Sequence, residues 1–263
     1  MDTKKKHSAH GFGSRWGFIL ASVGSAVGMA NVWGFPNKMG SNGGGAFLLI
    51  YLLFVFIFSY VGLPAEFAIG RRARTGTLGA YENAWKTRGE KAGKAGGLLA
   101  WLPLAGSMCI AIGAVGTLLT ILFGAKSIEK TNKIMMPLFF VLFLVLAVRV
   151  AMLSGSAEGY LFMFIPRWES LKDPMVWIWA MGQAFFSLSV TGSGMIVYGA
   201  YLGEKEDVVA VSQKTALFDT IAAVVAALVI IPACFSYGMD VGAGPGLLFE
   251  TLPTILQDIP FGQ

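Results

Sequence analysis

The sequence is short of charge. Asp, Glu, Lys and Arg make up 13% of its residues, where a soluble globular domain carries about 25%. The deficit is concentrated in runs of about twenty residues or more with few or no charges, the length needed to cross roughly 30 Å of hydrocarbon. A soluble domain is excluded, and the chain reads as an integral membrane protein whose first partner is the lipid bilayer. Cysteine and histidine are equally scarce, at two each. Cys109 and Cys234 sit inside apolar segments and read as small buried hydrophobes. His7 and His10 lie in the polar N-terminal tail, so neither residue type shows metal-site or disulfide spacing. Gly24-x3-Gly28 has no βαβ pattern around it, and Gly43–Gly45 lacks the Gly-Lys-Ser/Thr ending of a phosphate loop. With no Ser/His/Asp constellation either, enzyme activity has no support. A cleaved signal peptide is not expected, because the first apolar run continues through Trp33 and Pro36 without a small-residue cleavage pattern.

Positive charge is present but clustered. The formal net charge is +5, yet no Lys or Arg follows Lys214. The basic residues fall mainly at Lys4–Lys6 with Arg15, at Arg71–Lys94, and at Lys126, Lys130 and Lys133. Clusters in short loops are the positive-inside signature rather than a nucleic-acid footprint. They place the N-terminus, the 71–96 loop and the 126–133 segment in the cytoplasm of a multi-pass plasma-membrane protein. Apolar segments run from about 12 to 36, 46 to 70, 97 to 125, 134 to 153, 175 to 202 and 215 to 238. The 154–173 stretch reads as an extramembrane loop, and the apolar residues Leu247, Leu248, Leu252, Ile255 and Leu256 as a short surface helix. The rules conflict at 97–125. Its length of about 28 residues is roughly 42 Å as one helix at about 1.5 Å per residue. That is one crossing, although both flanks are basic; two crossings need about 40 residues. The stretch is re-entrant, or every later span is inverted against its charges.

Two apolar segments are interrupted at mid-span by small and hydrogen-bonding residues: Gly24-Ser25-Ala26-Val27-Gly28-Met29-Ala30-Asn31 and Ser187-Leu188-Ser189-Val190-Thr191-Gly192-Ser193-Gly194. Backbone groups freed there must find partners or line a cavity. Exposed carbonyls suit a hard cation such as sodium, and half-helix N-termini suit a carboxylate. Paired interruptions of this kind point to a transporter site; the competing reading is close helix packing by small residues. Asp219, near the start of the last span, is the candidate anionic cation ligand, against a role as helix N-cap. Glu66 either bonds freed amides of a broken helix or snorkels inward, and Arg149 reads as an interfacial anchor.

These residues resemble the neurotransmitter:sodium symporter family, especially its bacterial amino-acid transporters. The likeness is carried by Arg15-Trp16-Gly17, by Gly24 through Pro36, by Asn42-Gly43-Gly44-Gly45-Ala46-Phe47, and by Lys126-Ser127-Ile128-Glu129-Lys130 with Met136-Pro137. It continues in Gly182-Gln183-Ala184-Phe185-Phe186-Ser187-Leu188-Ser189, in Gly244-Pro245-Gly246 and in Thr251-Leu252-Pro253. The resemblance implies a sodium ion bound by Ala26 (carbonyl), Asn31, Ser187 and Asp219, where many members have Asn in place of Asp219. It implies a second sodium on the carbonyls of Gly24 and Val27. Ser25, Ala26, Met29 and Ala30 match the wall that receives an amino acid's carboxylate. Phe186, Ser187, Ser189 and Gly192 match the side facing its amine and side chain, with Phe186 as an aromatic lid.

The departures matter as much. The family usually has twelve helices, and two hydroxyl ligands of the second sodium belong to an eighth that is not found here. Gly34 stands where an outer-gate arginine is usual, and Ala30 where glycine is usual. No tyrosine lies between Tyr81 and Tyr160, although members carry a carboxylate-binding tyrosine in helix three. The expectation is an all-α polytopic membrane protein with a partial inverted-repeat sodium symporter fold and broken first and sixth helices. Family helices one and two fall at about 12–70, fused parts of helices three and four at about 97–125 with a junction near Gly113-Ala114, helices five to seven at about 134–238, and the start of the fourth extracellular loop at about 242–263. The implied function is sodium-coupled symport of an amino acid or similar small zwitterion, impaired by the shortening. The alternative is a non-transporting binding or assembly module, for which a homo-oligomer is one form.

Overall fold

A computed structural model describes residues 12–28, 30–101, 125–190, 192, 194–244 and 247–257. Met29, Thr191, Ser193, Cys109 and nearly all of the expected fused segment at 97–125 lie outside these residues. Every regular element among the described residues is helical, with one isolated bridge between Gly44 and Pro166.

Helix α1 (Arg15–Ala26) starts where Ser14 accepts a hydrogen bond from the Gly17 amide, and ends as Val27 turns to extended backbone. A π-type turn, Ala30–Gly34, leads into α2 (Phe35–Ser41), and the two halves are bent by 61°. α3 (Gly45–Tyr60) and α4 (Gly62–Ala73) form one apolar run of 29 residues, and α3 is entered through Gly43 and Gly44 at φ +88° and +60°. At Gly44 a side chain would also meet the Phe162 carbonyl, so glycine is required twice over.

The basic stretch after α4 is a helical hairpin, α5 (Thr77–Lys86) and α6 (Glu90–Leu99), rather than a loop. Gly93 and Gly96 of α6 lie against the Lys86 and Trp85 side chains, so small residues let the two helices close on each other. α7 (Ala125–Ala151) takes in the basic residues Lys126, Lys130 and Lys133 together with the apolar residues that follow, its span running over Glu129–Ala151. Arg149 stands half-buried in its last turn. The polar stretch after it holds α8 (Ser156–Phe164) and a 3-10 turn at Trp168–Lys172. Gly159 lies directly on Pro232 of α11, so hydrophilicity along the chain concealed a packed helix.

α9 (Pro174–Ser187) begins with Asp173 capping the Met175 amide. The chain leaves helical geometry at Leu188 and resumes as α10 (Gly194–Ala200). α11 (Val208–Tyr237) is the central helix: 67% of its apolar window is buried, against 22% for α7, which stands at the periphery. The N-cap of α11 is Asp207, which accepts from the Val209 and Ala210 amides. Asp219 lies well inside the helix and is fully buried, so the capping alternative for it fails. The tail forms a π-type turn at Leu247–Thr251 and α12 (Leu252–Gln257). Leu247, Thr251 and Ile255 are buried, so this segment packs into the bundle instead of lying on its surface. Among the described residues, three helices are long and apolar enough to cross a membrane, or four if the bent first pair is one span.

α4 and α10 pack tightly through Gly70 and Gly199. A Cβ at Gly70 would overlap the Ile196 carbonyl, and one at Gly199 would lie 2.5 Å from the Phe67 carbonyl. Backbone cannot yield as a side-chain end can, and overpacking costs about 1–3 kcal/mol or more. Gly199→Val is therefore expected to lower the thermal midpoint of the detergent-solubilised protein and broaden its gel-filtration peak, whereas Gly182→Ala, with open space around it, should leave both unchanged.

Candidate functional site

The first break rearranges the hydrogen bonds that a continuous helix would make. The Gly28 amide, the regular partner of the Gly24 carbonyl, is taken by Asn31 Oδ1 at 3.2 Å. The Asn31 amide, the regular partner of the Val27 carbonyl, goes to the Gly28 carbonyl at 3.0 Å. The carbonyls of Gly24 and Val27 thus lose the i+4 amides that would satisfy them in a helix.

The Asn31 side chain, fully buried, reaches across to two other helices. Its Nδ2 donates to Ser187 Oγ (3.1 Å), to the Asp219 carbonyl (3.2 Å) and to Asp219 Oδ1 (2.9 Å). Ser187 Oγ donates to Asp219 Oδ2 at 2.5 Å, and Tyr51 OH lies 3.5 Å from Ser187 Oγ. Ser187 and Asp219 are also fully buried, and no ion pair to Asp219 occurs among the described residues. A carboxylate taken out of water is costly without charge compensation. The Asp219 carboxylate, the Ser187 hydroxyl and the Asp219 carbonyl are hard oxygen donors of the kind that suit a hard cation, with no soft ligand among them, and Asn31 turns its amide nitrogen toward them.

The structure therefore brings Asn31, Ser187 and Asp219 together at the junction of both broken segments and α11. Ala26 is buried at the end of α1. The other expected residues divide. Ala30 and Phe186 line a cavity of about 730 Å³ beside the first break, with Trp33, Asn37, Lys38, Trp179 and Gln183. Phe186 is 60% exposed there, as a wall of the cavity. Ser25 is exposed, close to Gly194. Ser189, in the left-handed region at φ +53°, accepts from the Gly192 amide at 3.1 Å, and neither residue lines the cavity.

Other residues belong to the site without having been singled out. Gln183 Nε2 donates to the Ala30 carbonyl at 2.9 Å and so ties the two broken segments together. It stands four residues before Ser187, on the same helical face, which is a readable signal. Tyr51, fully buried, was one of three hydroxyl residues in the apolar run of α3 and nothing set it apart from Ser59 and Tyr60. Nothing in the sequence marked Asn132, whose side chain occupies the space beside Gly24. Glu129 accepts from the Gly13 amide at 3.0 Å and from Lys133 Nζ at 2.6 Å, and its carboxylate fills the space that a Cβ at Gly17 would need. Glu66 is buried in α4; burial, and then its charge, hold the Tyr81 phenol above its usual range.

The 2.5 Å bond makes Ser187 the direct hydroxyl partner of the Asp219 carboxylate, and hydrogen bonds to charged groups contribute about 1.5–3 kcal/mol, whereas Tyr51 reaches only Ser187. At 3.5 Å the Tyr51 contact is long for O–H···O. Ser187→Ala is expected to lower the unfolding midpoint in sodium-free detergent, and Tyr51→Phe to leave it within the change of an ordinary surface variant; equal midpoints for both would show that the carboxylate does not depend on Ser187.

Comparison with known proteins bears on these residues. The profile of the Sodium:neurotransmitter symporter family matches residues 10–87 and 93–263. The uncharacterized sodium-dependent transporter YhdH of Bacillus subtilis is 33% identical over 95% of this chain and 65% of its own length. An uncharacterized sodium-dependent transporter of Haemophilus influenzae is 25% identical over 95% of this chain and 66% of its own length. The crystal structure of MhsT in complex with L-phenylalanine superposes with a TM-score of 0.81 and 35% identity, covering 96% of this chain and 67% of that one. The chain thus spans slightly less than two thirds of the length of the two transporters. By a profile match that takes in both broken segments and α11, the chain belongs to the sodium:neurotransmitter symporter family.

Proposed function

We propose that the chain is a shortened sodium-coupled symporter of an amino acid or similar small zwitterion, seated in the plasma membrane with its N-terminus in the cytoplasm. The observation that carries this reading is the buried Asn31–Ser187–Asp219 polar cluster joining both broken segments, in which the Ser187 hydroxyl and the Asp219 carboxylate supply oxygens. In it Asn31, Ser187, Asp219 and the Ala26 carbonyl hold one sodium ion, and the carbonyls of Gly24 and Val27 contribute to a second. Bound there, sodium supplies the positive charge that the buried carboxylate otherwise lacks. Ser25, Ala26, Met29 and Ala30 receive the substrate carboxylate, while Phe186, Ser187, Ser189 and Gly192 face its amine and side chain. The aromatic walls of the neighbouring cavity, Trp33, Trp179 and Phe186, favour an amino acid with an apolar side chain, and MhsT is a relative crystallised with L-phenylalanine.

Coupling follows from the shared residues. Ala26 and Ser187 belong to both ligand sets, so sodium and substrate each fix the end of α1 and the same turn of α9. A ligand shifts a conformational equilibrium only by its differential affinity for the two states, and a common anchor gives each ligand a stake in the state the other prefers. One observation favours a second reading, a membrane binding module that does not transport. The match with YhdH extends over 293 residues, whereas this chain has 263 in all, so that relative carries internal segments without counterparts here.

Two experiments separate these readings. Sodium-dependent binding of radiolabelled phenylalanine to the purified chain is expected to disappear in Asn31→Ala and Asp219→Ala, each checked for a monodisperse gel-filtration profile; undiminished binding in both would remove the ion site. Uptake into proteoliposomes driven by a sodium gradient then decides whether the chain completes a transport cycle, and binding without accumulation favours the second reading.

A further inference from the structure

The second proposed sodium site has a neighbour that belongs to neither ligand set. Asn132 stands on α7 between the buried residues Glu129 and Met136, on the face that packs against α1. Its side chain is half-buried and fills the space that a Cβ at Gly24 would need. Of its two end atoms, Oδ1 lies closer to Gly24 than Nδ2 does. A carboxamide has both an acceptor and donors to place, yet among the described residues the Asn132 side chain makes no hydrogen bond.

The backbone beside it is short of donors too. The Gly28 amide, which would serve the Gly24 carbonyl in a helix, is taken by Asn31 Oδ1. The Asn31 amide, which would serve the Val27 carbonyl, goes to Gly28. Backbone acceptors at membrane depth must find partners. If Asn132 stood in for the missing amide, Nδ2 would be turned to Gly24 and would donate to its carbonyl. The oxygen is turned there instead, so one acceptor is set beside a residue whose own acceptor has been freed. Acceptor brought to acceptor calls for a cation rather than a donor. Two backbone carbonyls and an amide oxygen are hard, neutral donors of the kind that suit sodium. Glu129, one turn earlier on α7, is already engaged by the Gly13 amide and Lys133. Gly24 and Val27 are half-buried, which leaves the pair open to an arriving ion.

We propose that Asn132 is a ligand of the second sodium, an assignment that rests on the reading of the Gly24 and Val27 carbonyls as its backbone ligands. Its Oδ1 joins them, water completes the shell, and the bound ion ties α7 to the first break. A leucine at this position has nearly the size of asparagine and fills the same space without an oxygen. An aspartate keeps the oxygen and adds charge. Asp219→Ala removes the first site, so that the second is read alone. Equilibrium binding of radioactive sodium to the purified Asp219→Ala chain is measured in choline chloride at constant ionic strength, without amino acid. Residual binding is expected, weakened about tenfold or more by added Asn132→Leu, the scale on which loss of one group around a metal is felt. Added Asn132→Asp should retain or strengthen it. In the parent chain the same substitutions are read as the rise in thermal midpoint when sodium chloride replaces choline chloride. That rise should shrink in Asn132→Leu and persist in Asn132→Asp, with the midpoint of Asn132→Leu in choline chloride unchanged. Equal sodium binding by Asn132→Leu, equal loss in both variants, or a midpoint lowered alike in both salts, as a packing role alone would give, overturns the proposal. No residual sodium binding in a monodisperse Asp219→Ala chain removes the second site and this ligand with it, while the first site, read by phenylalanine binding, stands.

Discussion

The side chain of Asn31 sits where backbone geometry and tertiary packing become one problem. Its carboxamide carries both a donor group and an acceptor in one plane. The acceptor takes the Gly28 amide, which deprives the Gly24 carbonyl of its helical partner. The donor group reaches Ser187, 156 residues away, and Asp219, 188 residues away. Unwinding the first segment and docking it against the second broken segment are thus done by the same functional group. An alanine at this position would satisfy neither side. A glutamine would add a methylene to a fully buried position, where added volume has no room to relax.

Around that point the bundle is held by contacts of unequal weight. On one side, α7 presents Glu129 and Asn132 into spaces left by Gly17 and Gly24 of α1. These are close and specific, the Glu129 contact buried and the Asn132 contact half-buried, and they fix the half-helix below the break. At the basic end, Arg15 and Arg74 meet Glu206 and Glu204, while Arg71 and Arg74 donate to the carbonyls of Glu206 and Ala200. Partly exposed ion pairs of this kind contribute about 0–1 kcal/mol each. The position of α1 is therefore set by the buried contacts, and the charged end adds many small terms that salt screens.

What the sequence revealed and what it concealed follow from range. The broken segments were legible because glycine, serine and asparagine at mid-span contradict the apolar run around them, and that contradiction is local. Asn31, Ser187 and Asp219 could be picked out one by one as polar residues in expensive places, and the family resemblance joined them into a set. Gln183 stood in a recognised stretch yet had no obvious task until its bond to the Ala30 carbonyl was seen. Asn132 was illegible, since its meaning is the shape of Gly24, more than a hundred residues earlier in the chain. The helices α5, α6 and α8 were read as loops because their polarity hid packing by glycine, at Gly93, Gly96 and Gly159. Polarity reports contact with water along a chain, whereas a glycine contact is a property of two backbones.

The two breaks also differ in kind, and the difference explains why their residues were not equally assignable. In the first, a side chain substitutes for a backbone partner, so the carbonyls it displaces can be named from the hydrogen bonds alone. In the second, the backbone closes on itself. Ser189 donates to the Phe186 carbonyl, Val190 to that of Phe185, and Gly192 to that of Ser189, with Ser189 held in the left-handed region. Serine at positive φ is uncommon and costs about 1–3 kcal/mol where the surroundings enforce it. Leu188 and Val190, both buried, are those surroundings: they pin the turn on either side of Ser189. The first break therefore frees carbonyls of the helix, while the described residues of the second close on their own backbone and offer side chains, Ser187 and Phe186, from the helix before it. In the sodium site proposed above, the ion meets backbone on one side and side chains on the other, and Asn31 is the residue that belongs to both.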